Sequence, residues 1–231
     1  VLVEQLQADA DLGDNSAHDF GRDIIPRIFQ SHRVFGYQYQ SYWRDVGTIE
    51  SYWTSHMDLL APIPPMNFED PELKLRTAGA ITPPARFGRS AVVRDSLISP
   101  AANINGEVIR SVISPGVVVE EGAVVRDSIV QHRCIIRAGA VVDRSILDKE
   151  VTVGRGSVVG EGDSSVANYE RPDIVNTGIN VIGKRVTIPS GMTVGRNVVI
   201  GPGVHDELAD RAALEAGASV HPTTMPLHLF V

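Results

Sequence analysis

The chain contains 231 residues, 43% of them hydrophobic, and carries a formal net charge of -7. This composition is typical of a folded protein with one large or two modest domains. The acidic balance gives no basic footprint for nucleic acid or an anionic membrane, and no apolar run is long enough for a membrane span, so neither partner is expected. The single cysteine, Cys134, excludes an internal disulfide framework and fits a cytoplasmic location. Because the first residue is Val1 and not a methionine, we expect a fragment of a longer protein.

Residues 1–60 contain most of the aromatic side chains and have the texture of an α/β domain. Apolar residues at helical spacing predict a helix over 1–10. The alternating stretch VFGYQYQSYW predicts a strand that ends near Trp43. Thr48 is a suitable N-cap for a second helix, which we expect to run to about Leu60.

The chain changes character after residue 60. From Ala61 to Ala85, six prolines and little periodicity predict an extended linker. Beyond Phe87 a six-residue period begins, and two adjacent columns of the repeat are aliphatic throughout. The columns are Val117, Ala123, Ile129, Ile135, Val141, Leu147, Val153 and Val159, and Val112, Val118, Val124, Val130, Ile136 and Val142. Such a period predicts a triangular parallel coil of short strands, with these side chains stacked inward and Gly or Pro at the corners.

Two segments do not follow the repeat. Residues 161–178 (EGDSSVANYERPDIVNTG) break the register and are predicted to loop out of the coil, either as a functional or interface element or as a plain insertion. The tail is predicted to cap the coil with a short helix from Glu207 to Ala216.

Four stretches together resemble bacterial glucose-1-phosphate adenylyltransferase (ADP-glucose pyrophosphorylase): HDFGRDIIP, YWRDVGTIESYW, SILDKEVTVG and INVIGKRVTIPSGMTVGRNVVIG. The resemblance covers its C-terminal half. It implies an α/β, Rossmann-like nucleotidyltransferase remnant (1–60), the Pro-rich linker (61–85) and a left-handed parallel β-helix of hexapeptide repeats (86–231). The left hand comes from the family alone, since crossover connections are usually right-handed. The family's Gly-rich ATP loop is missing from this sequence, so the chain by itself is expected to be inactive and regulatory.

Asp45 lies where the predicted strand ends and the second helix begins. A carboxylate at such a place can hold Mg²⁺ against a nucleoside triphosphate, and Gly47 lets the backbone turn beside it. Alternatively, Asp45 caps the helix or pairs with Arg44. The resemblance favours the metal role and implies attack of glucose 1-phosphate on the α-phosphorus of ATP, giving ADP-glucose and pyrophosphate.

The aromatic residues around Asp45, namely Tyr42, Trp43, Tyr52 and Trp53, are expected to belong to the core beneath the site.

The resemblance assigns two further residues. Asp19 is expected near the sugar phosphate, although by itself it could be a turn residue, and the neighbouring His18 is expected to be structural. Lys149 should point outward or occupy a corner, because Leu147 and Val153 fill the inward positions. In the family a basic residue at this place helps to bind a phosphorylated allosteric effector.

Nearby charge for Lys149 could come from Arg137 or Arg144, although neither matches a motif. The family also implies a homotetramer.

Two other functions stay open from the sequence. Hexapeptide acyltransferases use the same coil with a histidine as general base, for which His132 is the candidate within the main repeat. That interpretation leaves YWRDVGTIESYW unexplained. Relatives that make other nucleotide sugars would share both domains, so the nucleotide and the sugar rest on the resemblance alone.

Overall fold

The computed structural model describes residues 1–67, 70 and 82–223. The chain divides into two compact units, residues 1–41 and 42–231. The first unit is helical, and its elements are α1 (Leu2–Ala10), a 3₁₀ turn (Gly13–Asn15), a π-helical turn (Phe20–Ile24) and α2 (Ile25–Ser31). The predicted helix over 1–10 is therefore confirmed. The predicted domain boundaries at residues 60 and 85 stay predictions, and much of the linker lies outside the described residues.

A buried carboxylate organises the first unit. Asp9 is only 2% exposed, and its oxygens bind the Ser16 hydroxyl (2.8 Å), the His18 ring (2.8 Å) and the Arg27 guanidinium (3.0 Å). These bonds, the one to His18 foremost, hold the pKa of Asp9 below its ordinary value. A buried charge needs such partners, so the cluster fixes where α1 meets the chain that follows it.

The predicted strand before Trp43 is wrong, because residues 33–43 form no strand. Phe35, Tyr37 and Trp43 are 82%, 89% and 75% exposed, so Trp43 is also not the core residue that we predicted. A strand exists only through hydrogen bonds to a neighbouring strand, and the described residues before Arg86 contain none to pair with. Alternation alone therefore does not produce the element.

The second unit begins with the predicted helix, α3 (Ile49–Asp58), and its N-cap is confirmed. Thr48 Oγ1 accepts a hydrogen bond from the Ser51 N–H (3.0 Å), and Ser51 Oγ accepts one from the Thr48 N–H (3.3 Å). This reciprocal capping box satisfies two backbone donors at the start of the helix. The helix ends two residues before the predicted Leu60.

Within the described residues, twenty short strands form the predicted parallel coil, in three sheets of six, seven and seven strands. The first sheet contains β1 (Arg86–Phe87), β4 (Asn103–Ile104), β7 (Val118–Val119), β10 (Ile135–Ile136), β13 (Thr152–Val153) and β16 (Thr187–Ile188). The second contains β2 (Val92–Arg94), β5 (Glu107–Ile109), β8 (Val124–Arg126), β11 (Val141–Asp143), β14 (Val158–Val159), β17 (Thr193–Val194) and β19 (Ala213–Leu214). The third contains β3 (Leu97–Ile98), β6 (Val112–Ile113), β9 (Ile129–Val130), β12 (Ser145–Leu147), β15 (Asn180–Ile182), β18 (Val199–Ile200) and β20 (Ser219–Val220). The left hand of the coil stays a prediction.

The repeat is not strictly six residues long, which corrects the predicted columns. Val118 pairs with Ile135 and Ile135 with Thr152, so these turns take 17 residues each. One corner per turn is a residue shorter, and a strict count in sixes therefore drifts from one face to the other. Leu147 and Val153 point inward as predicted, whereas Ile135, from the same predicted column, faces outward and is half-buried.

A buried serine ladder runs along one corner, and the sequence prediction missed it. Ser111, Ser128 and Ser145 are 0% exposed, and each Oγ donates to the carbonyl two residues earlier. The same Oγ of Ser111 and of Ser128 accepts the backbone N–H of the next serine (3.1 Å in both cases). The ladder satisfies polar groups that a purely aliphatic core would leave without partners.

The insertion at 161–178 folds back along the coil. Leu147 pairs with Ile182, which lies 35 residues further along the chain. This turn therefore contains 18 residues more than the usual 17. Asn197 Nδ2 donates to the carbonyls of Ser164 (3.1 Å) and Val166 (2.7 Å), which ties the insertion to a later turn. It leaves the coil and returns in register, as predicted.

The described part of the tail differs from the prediction. A short α4 (Asp206–Ala209) replaces the predicted helix from Glu207 to Ala216, and the coil then resumes with β19 and β20. The last strands pair in parallel with β17 and β18, so the hydrogen-bonding ladder favours strand over helix here.

Candidate functional site

Asp45 lies in an exposed turn directly before α3. Its Oδ1 accepts the Gly47 N–H (3.0 Å), which makes a local side-chain turn. The two structural alternatives do not apply: Thr48 caps the helix, and Arg44 pairs with Asp58 (2.8 Å). The Asp45 carboxylate is therefore not used by either of the structural contacts that the sequence suggested for it.

The donor set at Asp45 suits a hard cation in part. Within the described residues its Oδ2 makes no hydrogen bond, and no group of three or more His, Cys, Asp or Glu side chains converges there or elsewhere. Mg²⁺ is commonly held by one or two carboxylates together with substrate phosphates and water. One free carboxylate oxygen at an exposed turn fits that kind of site.

Asp19 belongs to the first unit, whereas Asp45 belongs to the second. Asp19 caps the π-helical turn: its Oδ1 accepts the Arg22 N–H (2.6 Å), and its own N–H donates to Asp23 Oδ2 (3.2 Å). The residue is exposed and has this structural role, so its contact with a sugar phosphate stays a prediction. The neighbouring His18 binds the buried Asp9.

Lys149 is exposed at a corner of the coil, as predicted, and lines a cavity of about 390 Å³. We call this the Lys149 cavity. It is lined by aliphatic side chains and by Tyr52, Gln131, Asp148, Lys149 and Gly183. The Asp148 carboxylate accepts the Lys149 backbone N–H (2.7 Å), which offsets part of its charge. Burial, with a smaller contribution from Asp148, raises the pKa of Tyr52, so this phenol stays protonated as a donor or acceptor.

Other cations lie on the same corner as Lys149. The Arg185 N–H donates to the Lys149 carbonyl (2.9 Å), and the Glu150 N–H donates to the His132 carbonyl (2.9 Å). His132, Lys149 and Lys184 therefore occupy the same place on three successive turns, which are separated by roughly 5 Å. The sequence prediction missed Lys184, although removing the insertion from the count would have placed it above Lys149.

The corner remains cationic although Asp148 and Glu150 lie on it. Glu150 forms an ion pair with Arg133. The hydrogen bond from Arg133, and then the positive charges of Arg133, Lys184 and Arg185, lower the pKa of Glu150. His132 is half-buried, and its Nδ1 has no partner within the described residues. This arrangement can attract an anion such as a phosphate.

Neither Arg137 nor Arg144 lines the Lys149 cavity. Arg137 pairs with Glu120 (2.8 Å) on a different corner. The guanidinium of Arg144 lies over the ring of Trp53, 4.5 Å from its centroid. The extra charge that Arg137 and Arg144 could have added is supplied at the corner by Lys184 and by Arg185.

Across the described residues, no helix combines the length and the apolar character that crossing a membrane would need. Residues 2–61 match the family model described as nucleotidyl transferase, and residues 83–182 match the model described as GlmU-like, C-terminal hexapeptide. The two matches coincide with the two regions that the sequence analysis distinguished, the α/β-like region before the linker and the hexapeptide-repeat region after it.

Curated relatives match nearly the whole chain. The glucose-1-phosphate adenylyltransferase of Acetivibrio thermocellus is 38% identical over 221 residues, which is 95% of this chain and 51% of the relative. That of Thermomicrobium roseum is 44% identical over 205 residues (88% and 48%), and that of Fervidobacterium nodosum is 36% identical over 202 residues (87% and 47%). The chain thus spans about half the length of the curated relatives that it matches.

Proposed function

Because the chain is homologous to the glucose-1-phosphate adenylyltransferases over their C-terminal part, we propose that it is the corresponding part of an enzyme of glycogen synthesis. That enzyme forms ADP-glucose and pyrophosphate from ATP and glucose 1-phosphate. The observation that carries the proposal is Asp45, which sits before a capped helix and is left without either expected structural partner. Asp45 is then the catalytic, metal-binding and substrate-facing carboxylate.

Mg²⁺ bound at Asp45 would supply positive charge to neutralise the phosphates that approach one another. The chain supplies the Asp45 carboxylate to hold it, and the Gly47 N–H orients that carboxylate. Asp19 contacts the sugar phosphate. Phosphoryl transfer needs positioning and charge stabilisation more than acid–base groups, and the Asp45 carboxylate can contribute to both.

We further propose that these 231 residues alone do not form ADP-glucose and that they regulate the enzyme. The Lys149 cavity is the effector site, and it takes a phosphorylated metabolite. The support is physical: an exposed lysine, a second lysine on the next turn and a cavity beside them. The homotetramer that the family implies is part of the same proposal, and light scattering of the purified protein tests it.

The catalytic part is tested with the protein as its source cell makes it, after its intact mass has been measured. Asp45→Asn should lower ADP-glucose formation by about 100-fold or more, because it removes a charge that acts in the transition state. Asp14→Asn, an exposed aspartate in the 3₁₀ turn, is the matched control and should leave the rate unchanged. A D45N enzyme with normal activity would contradict the metal role. A native mass equal to that of these 231 residues would contradict the proposal that the protein forms ADP-glucose.

The regulatory part is tested by calorimetric titration with fructose 1,6-bisphosphate, 3-phosphoglycerate and AMP. At least one should bind, and Lys149→Gln should weaken its binding about 10-fold or more, as expected when a charged hydrogen bond is lost. Arg94→Gln, an exposed arginine on β2 far along the coil, removes the same charge and is the control. Equal losses in both variants would point to general electrostatics and contradict a specific site.

A further inference from the structure

Trp53 is the most buried side chain by which helix α3 packs on the coil, and Ile49, Tyr52 and Met57 pack beside it. Trp53 is only 8% exposed, and its Nε1–H donates to the Asp127 carbonyl (2.8 Å). The Arg144 guanidinium lies over the Trp53 ring, 4.5 Å from the ring centroid. Ile129 and Ile179 of the coil complete this apolar contact. The helix therefore has a defined seat on the surface of the coil.

The residue before Trp53 forms a wall of the Lys149 cavity. Tyr52 Oη accepts a hydrogen bond from Gln131 Nε2 (3.0 Å), and both side chains line that cavity together with Lys149. A ligand that reaches the Lys149 ammonium therefore meets the same amide that holds the helix through Tyr52.

The turn that carries Asp45 is attached to α3 at both ends. On one side the chain continues through Gly47 to the capped first turn of the helix. On the other side Asp58, at the end of the helix, accepts the Tyr42 hydroxyl (2.9 Å) and pairs with Arg44 (2.8 Å). A shift of α3 on the coil must therefore carry Asp45 with it.

We propose that α3 couples the Lys149 cavity to Asp45 and that Tyr52 is the positioning residue through which occupancy of the cavity is transmitted. The inference rests on the proposed effector role of Lys149 and names how that site would act. The Gln131 amide is the exchangeable group: it donates to Tyr52 when the cavity is empty and to an oxygen of the phosphorylated ligand when the cavity is filled. Coupling requires such a difference in contacts between two arrangements, and in the filled arrangement α3 keeps the Trp53 contact but loses the hydrogen bond at Tyr52.

The proposal predicts an unusual effect of removing a hydroxyl group. Tyr52→Phe keeps the ring but frees Gln131, so the ligand no longer competes with Tyr52. Its affinity should rise about 2- to 10-fold, which corresponds to the net value of one neutral hydrogen bond. A residue that merely supported the cavity would weaken binding, or leave it unchanged, when truncated.

The two tryptophans of the chain, Trp43 and Trp53, report the two ends of the coupling. Incorporating 5-fluorotryptophan gives one ¹⁹F resonance for each, and Trp43→Phe assigns them. The 231-residue chain is titrated with fructose 1,6-bisphosphate, 3-phosphoglycerate and AMP, and heat is measured in parallel. In the unsubstituted chain both resonances should shift with the same saturation as the heat.

In Tyr52→Phe the heat should persist with tighter binding, while the resonance of Trp43, two residues from Asp45, should stay in place. Lys149→Gln should move the saturation of the heat and of the shifts together to about 10-fold higher ligand concentration or more. Binding that shifts no Trp43 resonance in the unsubstituted chain, or a Tyr52→Phe chain that still shifts it, overturns the coupling and leaves the effector site standing. An absence of heat and shifts with all three compounds overturns the effector site itself.

Discussion

Ser128→Ala tests whether the serine ladder stabilises the coil. The Ser128 Oγ donates to the Arg126 carbonyl (2.7 Å) and accepts the Ser145 N–H (3.1 Å). The Arg126 carbonyl keeps a second partner, because the Arg144 N–H also donates to it (3.1 Å). The Ser145 N–H has no other acceptor among the described residues, and Ser145 is 0% exposed. The substitution therefore leaves one buried donor unsatisfied.

The expected cost follows from these two bonds. A buried donor left without an acceptor costs about 1–3 kcal/mol, and the second lost bond adds about 1 kcal/mol, giving a loss of about 2–4 kcal/mol. For a chain of this size each kcal/mol lowers the midpoint of thermal unfolding by about 2–4 °C. Urea unfolding followed by far-ultraviolet circular dichroism measures the free energy, and an unchanged slope with denaturant shows that the two chains expose the same surface.

Ser114→Ala is the matched control, because Ser114 is half-exposed and its side chain makes no hydrogen bond within the described residues. Its free energy of unfolding should change by less than about 0.5 kcal/mol. If Ser128→Ala costs no more than this control, the Ser145 N–H finds another acceptor, such as water, and the ladder does not hold the corner. The reasoning from buried donors would then be refuted for this coil.

Three further outcomes follow from single positions. Gly178→Ala should destabilise the chain by more than Gly162→Ala. Both glycines have positive φ (79° and 84°), but only at Gly178 would the new Cβ meet a serine Cβ at 2.9 Å. Equal losses of stability in the two variants would contradict the steric argument. Burial raises the pKa of Cys134 to about 12, so iodoacetamide at pH 8 should modify it only in urea, and rapid modification of the folded chain would contradict its buried position. The lowered pKa of Asp9, caused first by its bond to His18, stabilises the first unit above about pH 4, and this contribution is lost as pH falls through the lowered value. The protection factors of the α1 amides, taken relative to the intrinsic exchange rate at each pH, should fall there in the unsubstituted chain and lose that pH dependence in Asp9→Asn.

The coil is well predicted from the sequence because every turn repeats the same pattern of inward aliphatic residues. Aliphatic residues at nearly constant spacing have no other arrangement that buries all of them, so parallel strands and inward Leu147 and Val153 follow directly. The 17-residue turn is harder to see, because a drift of one residue per turn still places Val or Ile in both columns. Ser96, Ser111, Ser128 and Ser145 stand 15, 17 and 17 residues apart and would have revealed the true spacing.

The candidate site is less predictable, because it depends on contacts between distant segments. Local rules found the N-cap at Thr48, which lies within three residues of its partner. They failed at Trp43, because a strand depends on partners that alternation does not supply. They also missed Lys184, which is 35 residues from Lys149 along the chain but adjacent on the corner, since an insertion separates the two turns.

The corner at Arg144 joins α3 to the coil through a residue with a left-handed backbone. Arg144 has a left-handed backbone (φ 44°), a conformation that costs a residue with a side chain roughly 1–2 kcal/mol and costs glycine almost nothing. A glycine would therefore serve the coil better at this corner. The side chain offsets the cost by stacking on Trp53 and by donating its Nε–H to the Thr177 carbonyl (3.1 Å) in the insertion. Asp95, Arg110 and Asp127 have the same left-handed backbone on the preceding turns (φ 46°, 43° and 49°), so the conformation belongs to the corner itself. The contacts of the Arg144 side chain with α3 and with the returning end of the insertion offset its cost at this turn.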